Sequence, residues 1–218
     1  MDTLSFTQEY YLCAINDKGN IPALDMEVPV CLLAGGMMEL TRQGYVSYDE
    51  KKRFVIAKPW DDALPYLKPL YDKVASFKKP QKIEGVVGAY EVSLQEPFPE
   101  LLAAFGASLT AAGYADQLND QGLLKNKTRY APKPEAVTRI IEKIRAEFLE
   151  DGVISDDTLC LAALLDGSHL IRRYFSKFEA DALKKRLKEV RGSEAYALLK
   201  KFLYSSSGAM AAVIVAAG

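Results

Sequence analysis

Ser206 to Gly218 reads SSGAMAAVIVAAG. Its apolar run from Ala209 to Ala217 is far short of the ~20 residues needed to span a bilayer, yet too greasy to be left in water. Gly208, Ala209, Ala211, Ala212, Ala216 and Ala217 are small enough to let neighbouring backbones approach closely. A helix apolar on every side is normally surrounded by other helices. The stretch therefore predicts a mainly α protein: a single-domain helical bundle, residues 1–218, built around a buried apolar C-terminal helix.

Working outward, the totals keep that domain soluble and narrow its partners. The chain has 218 residues, 49% of them hydrophobic, which suits one substantial core. Lys plus Arg number 28 against 29 Asp plus Glu, so no global field draws the chain to nucleic acid or to an anionic membrane, and any such attraction must be local. Cys13, Cys31 and Cys160 lie far apart on apolar stretches without metal-ligand spacing, as expected of reduced thiols. The start, MDTLSFTQEYYL, lacks the basic region, apolar core and cleavage site of an export signal. A cytoplasmic protein is expected, at most peripheral on the cytosolic face of a membrane.

Taken in order, Ser5 and Gln8 have the spacing of a capping box and predict a helix over Phe6 to Ile15. A second should run from Val28 to Arg42, with Pro29 in its first turn and Gly44 past its end. The period then changes to two: Tyr45 to Tyr48 and Phe54 to Ala57 read as a short hairpin. Leu67, Leu70 and Val74 form the stripe of a third helix, followed by helices over Ile83 to Tyr90 and Phe98 to Ala112. Between Leu118 and Tyr130, Gly122 and Asn126-Lys127 predict a second hairpin. Val137, Ile140, Ile141, Ile144 and Phe148 make the clearest helical face, starting after Pro134. Ser155 can cap a helix over Thr158 to Leu165, and Leu183, Leu187 and Val190 line another, after which Glu194 to Tyr204 leads into the tail.

No catalytic constellation emerges. Asp166, Ser168 and His169 are neighbours in sequence, but no G-x-S-x-G elbow presents the serine, and His169, the only histidine, reads as a residue at a helix junction. One histidine with scattered cysteines makes no zinc site, and no P-loop or dinucleotide fingerprint is present, so neither metal nor cofactor is expected. Gly35-Gly36, inside a predicted helix, should serve close helix packing. The order helix then hairpin could be a winged helix, but Asn20 to Thr41 carries no Lys or Arg for phosphates, which argues against nucleic acid. Three local basic groups remain: Lys78, Lys79 and Lys82; Lys125, Lys127 and Arg129; and the face from Lys184 to Arg191. The last reads as a solvated helix face. The second differs because Leu123 and Leu124 precede it, setting an apolar tip beside positive charge, the chemistry of a peripheral membrane contact. A structural hairpin or a dimer contact is the competing reading.

Several pieces, in this order, resemble the Golgi phosphoprotein 3 family: Leu4 to Glu9 leading to Asn16-Asp17-Lys18-Gly19, Met38-Glu39-Leu40 with Gly44-Tyr45-Val46, Lys78-Lys79-Pro80, Thr128-Arg129-Tyr130, and Leu159 to Ile171. The resemblance covers nearly the whole chain and implies the same helical domain with β-hairpins around a buried C-terminal helix. It also implies a non-enzymatic protein that binds phosphatidylinositol 4-phosphate on membranes and holds the cytosolic tails of other proteins. The family's headgroup tryptophan and arginines fall near Leu24, Leu33, Pro99 and Leu102, and no Lys or Arg stands between Asn20 and Thr41 or between Ile83 and Leu124. Only the hairpin keeps suitable chemistry. The expected lipid site is thus Leu123, Leu124, Lys125, Lys127 and Arg129, with anionic phospholipid headgroups as ligand. The alternative is a protein-interaction or self-association module, with a protein partner or a second copy of the chain on a hydrophobic groove.

Overall fold

Ser5 and Gln8 do exchange the two bonds of a capping box: Gln8 N donates to Ser5 Oγ at 3.2 Å and Ser5 N to Gln8 Oε1 at 3.1 Å. From that cap runs α1 (Phe6–Ala14), and every one of its residues is buried, polar ones included. It is enclosed by α2 (Glu27–Arg42), α5 (Pro97–Ala111), α6 (Pro134–Leu149) and α7 (Asp156–Gly167). The computed structural model describes residues 4–91, 97–120, 127–150 and 152–190. The expected C-terminal helix, Ser206 to Gly218, and its approach from Glu194 lie outside these residues. Among the described residues, the helix at the centre of the bundle is α1.

Two polar side chains, Gln8 and Glu9, and the backbone amide of Thr7 are each keyed to a different neighbour of α1, while the buried Thr7 hydroxyl has no hydrogen-bond partner among the described residues. Thr7 N donates to Glu39 Oε1 of α2 at 3.0 Å, Gln8 Nε2 to Ser108 Oγ of α5 at 3.0 Å, and Lys143 Nζ of α6 to both oxygens of Glu9 at 2.6 and 2.5 Å. A buried polar group without such a partner would cost several kcal/mol. Glu39 also accepts from Tyr66 Oη at 2.8 Å. Desolvation nevertheless pushes the Glu39 and Glu9 carboxyls above their ordinary values, against the donors that lower them.

The remaining elements are β1 (Val46–Tyr48), β2 (Phe54–Ile56), a 3-10 turn at Pro65–Leu67 running into α3 (Lys68–Ala75), α4 (Ile83–Glu91), β3 (Ala115–Asp120), β4 (Lys127–Pro132), α8 (Ile171–Tyr174) and α9 (Lys177–Glu189). The sheets are two antiparallel pairs, β1-β2 and β3-β4, so the protein is mainly α as expected. Gly36 of α2 lets α3 approach: a Cβ there would stand 2.8 Å from Leu70 Cδ2, which is the packing role expected of the Gly35-Gly36 pair. Among the described residues no helix is long and apolar enough to cross a membrane.

α8 and the start of α9 were not anticipated from the sequence. A second capping box, Ser176 with Glu179, begins α9. Glu179 also takes Arg145 Nε of α6 at 2.8 Å, tying α9 to the bundle. The Ser176 amide, then Arg145, hold the Glu179 carboxyl down from its ordinary 4.5 to about 2. A depressed carboxyl stabilises the fold above its unfolded value and loses that contribution as pH falls through its folded one. On acidification from pH 4.5 towards 2 the protection factors of α9 amides, corrected for the intrinsic exchange rate at each pH, should therefore fall ahead of those of α1, and Glu179→Gln should abolish that difference in pH response.

Candidate functional site

Just past the end of α5, Gly113 takes a left-handed φ of +81° suited to glycine, and Tyr114 N returns to Leu109 O at 2.8 Å. That turn sends the chain into β3, and β4 pairs back with it from Ala115↔Pro132 to Asp120↔Lys127. The second predicted hairpin is thus present. Its base is closed by Lys133 N donating to Tyr114 O at 3.0 Å, and Arg139 lies over the Tyr114 ring at 5.6 Å.

Tyr130 clamps this ribbon to the bundle. A Cβ on Gly106 of α5 would lie 2.0 Å from Tyr130 Cδ2, so the ring rests on bare helix backbone. Gly19, at φ +69°, lies against the Tyr130 backbone: a Cβ there would stand 2.8 Å from Tyr130 N. The last strand pair, Asp120↔Lys127, stands three residues beyond this clamp, about 10 Å along the ribbon.

The expected lipid site is set on this ribbon. Leu123, Leu124 and Lys125 belong to the connection 121–126, outside the described residues. Lys127 opens β4, its backbone paired with Asp120. Arg129 is half-buried, faces Leu118 in register, and by strand alternation lies on the side of the ribbon opposite Tyr130.

The positions where the family's headgroup residues fall are put to other uses. Leu33 is 1% exposed, inside a helix buried almost throughout from Val28 to Leu40, and the Leu102 carbonyl accepts Tyr11 Oη at 3.4 Å. Leu24 is 92% exposed and Pro99 is exposed, but neither offers a charge to a phosphate. The burial of α2 also removes the winged-helix reading, since its middle turns present nothing to a DNA groove.

The residues weighed for catalysis are structural. Ser168 is buried and donates its hydroxyl back to Leu164 O at 2.8 Å, while His169 is exposed at φ +61° just past the end of α7. Asp166 pairs with Lys184 at 3.3 Å. All three cysteines are buried and free, and burial pushes the Cys31 and Cys160 thiols up to about 12, so neither supplies a thiolate at neutral pH. Among the described residues no group of acidic, histidine or cysteine side chains could hold a metal.

One cleft of about 460 Å³ lies between the loop after α1, the β4–α6 junction, one face of α6, and α8. Its walls are mainly apolar, from Ile15, Pro132, Val137 and Ile141, and its arginines are engaged. Arg145 donates to Glu179, Glu142 and Tyr174 O, and Arg173 to Asp25 and Cys13 O. The cleft suits an apolar occupant rather than an anion.

Of the other basic groups, the Lys184 face is partly paired, with Arg186 on Glu189 at 3.7 Å, as expected of a solvated helix. Lys78, Lys79 and Lys82 are exposed. Sequence grouping left out Lys51 and Lys52, which the fold brings to the same region through an antiparallel bridge between Phe54 and Gln81. Nothing along the chain announces that bridge.

A family model described as Golgi phosphoprotein 3 (GPP34) matches residues 6–205. No curated protein matches the chain.

Proposed function

Because the chain belongs to the Golgi phosphoprotein 3 family, we propose that it is a non-enzymatic protein that attaches peripherally to the cytosolic face of a membrane and holds anionic phospholipid. The contact is made by the β3–β4 ribbon through Leu123, Leu124, Lys125, Lys127 and Arg129. The observation that carries this reading is the clamp at Tyr130, which fixes one end of a two-stranded ribbon whose connecting segment contains an apolar pair followed by a lysine. A rigid base lets an inserting tip transmit its binding energy to the domain instead of spending it on ordering the ribbon. With apolar residues at the family's headgroup positions, selectivity for phosphatidylinositol 4-phosphate over other anionic lipid should be slight.

Vesicles of phosphatidylcholine with phosphatidylserine, with or without phosphatidylinositol 4-phosphate, should pull the protein down at low salt and release it at high salt. Each Lys or Arg near such a surface is worth about 1 kcal/mol, so Lys125→Glu, Lys127→Glu and Arg129→Glu together should weaken partition at least tenfold. No sedimentation with anionic vesicles at low salt would defeat the membrane reading. Equal binding by the triple variant would defeat the ribbon as its site.

The cleft beside α6 supports a second reading, a protein-interaction module that docks an apolar segment of a partner or of a second copy. Light scattering and vesicle sedimentation of Val137→Glu, in the cleft, beside the triple ribbon variant separate the two. Loss of an oligomer with unchanged vesicle binding favours the module, and loss of vesicle binding from an unchanged monomer favours the membrane site.

A further inference from the structure

We infer that the first hairpin, together with the segment from Lys78 to Lys82, forms a lysine platform that lies against an anionic bilayer surface, a contact separate from the β3–β4 ribbon. The inference rests on the membrane reading above and adds a surface to it. Phe54 N donates to Gln81 O at 2.7 Å, and the antiparallel bridge sets Arg53 beside Lys82 and Ile56 beside Lys79. Lys51, Lys52, Lys78, Lys79 and Lys82 are all exposed, and among the described residues none has an ion pair. The acids nearby are Asp49, already engaged, exposed Glu50 in the same turn, and half-buried Glu84 at the start of α4. Positive charge is therefore in excess.

The support beneath these lysines is rigid. Asp49 organises the hairpin turn: its Oδ1 accepts Lys51 N and Arg53 N, each at 2.9 Å, while Arg53 Nε reaches its Oδ2 at 2.7 Å. Lys52, at φ +58°, sits at the tightest point of that turn. On the other side of the hairpin, Tyr45 packs against Trp60 at 4.8 Å and Tyr71 at 6.0 Å, and Tyr71 Oη donates to Lys58 O at 3.0 Å, fastening the sheet to α3. Gln81 is pinned as well, by its Nε2 to Lys79 O at 3.0 Å. Ile56, 38% exposed, supplies an apolar contact at the edge of the charged area.

The residue type selects the partner. Arg53, the guanidinium of the group, is consumed by Asp49, and the free charges are all lysines. Lysine acts as a hydrated point charge, suited to the diffuse potential of an anionic surface, whereas bidentate reading of one phosphate or of nucleic-acid bases calls for arginine.

The test uses the full chain and phosphatidylcholine vesicles containing phosphatidylserine at low salt. The variant Lys51→Glu, Lys52→Glu, Lys79→Glu, Lys82→Glu, checked for an unchanged far-ultraviolet spectrum, should lose roughly a hundredfold in partition. Lys184→Glu, Lys185→Glu, Arg186→Glu and Lys188→Glu together, on α9, make the same change of net charge and should alter it less than about threefold. Wild-type binding retained by the fourfold variant overturns the platform and leaves the membrane reading standing. Absence of wild-type binding overturns both. Single-stranded DNA held by the wild type but not by the fourfold variant, with vesicle binding equal in the two, assigns the platform to nucleic acid and overturns this inference.

Discussion

Lys143→Met should destabilise the protein by about 3 kcal/mol at neutral pH, out of the ~5–15 kcal/mol typical of a domain. Glu9 is 8% exposed on the central helix, and Lys143 supplies two charge-assisted bonds to its carboxylate. Removing the ammonium leaves a charge in the core, and breaking one side of such a pair costs more than replacing both. The Lys143 side chain is 35% exposed, so water will meet part of the deficit, which places the cost at the low end of the range for buried pairs. Desolvation already pushes the Glu9 carboxyl above its ordinary 4.5, and Lys143 opposes that rise. Without Lys143 the folded value rises further. A raised carboxyl makes the folded state bind its proton more tightly than the unfolded state, so the variant's deficit should grow as pH rises through that window and shrink on acidification. Glu9→Gln with Lys143→Met should recover most of the loss. Urea unfolding of the three proteins at pH 5 and 7 reads all of this, and a single variant within about 0.5 kcal/mol of wild type at pH 7 would sink the account of how α1 is held.

The same pair shows why the architecture was only partly legible along the chain. Elements specified by local chemistry were readable: the Ser5–Gln8 box, the stripe from Val137 to Phe148, the Ser155 cap of α7 and both hairpins all stand where spacing put them. The burial of α1 on every side was not. Thr7, Gln8 and Glu9 interrupt any apolar pattern, and the bonds that hold this turn in the core, from the Thr7 amide and the Gln8 and Glu9 side chains, run to positions 39, 108 and 143, which no periodicity reveals. The Ser176–Glu179 box was a local signal and was available, but the ion pair with Arg145 that gives it weight again spans distant elements. The site divides the same way. Charge next to an apolar pair marks the ribbon, whereas the lysine platform depends on a single bridge between Phe54 and Gln81.

Gly106→Ala should cost about 3 kcal/mol, large for one added methyl on a helix where alanine is intrinsically the better residue. The new Cβ would fall 2.0 Å from Tyr130 Cδ2 and 2.2 Å from Cγ, inside the ring. The ring cannot retreat cheaply, because the Tyr130 backbone is paired with Gln117 and lies against Gly19. Either β4 shifts as a unit or α5 moves away from a core in which Phe105 and Leu109 are wholly buried. Tyr130→Ala alone should also destabilise, by about 3 kcal/mol through the space it empties. Combined, the two changes relieve each other, so the double variant should be at least as stable as Gly106→Ala, well short of the additive loss. The ribbon is the proposed lever on the membrane, so Gly106→Ala should weaken vesicle partition as well, without any change of charge. A Gly106→Ala protein that unfolds at the wild-type urea midpoint would mean that the ribbon is free to ride over α5, and the clamp would then not exist as a mechanical part.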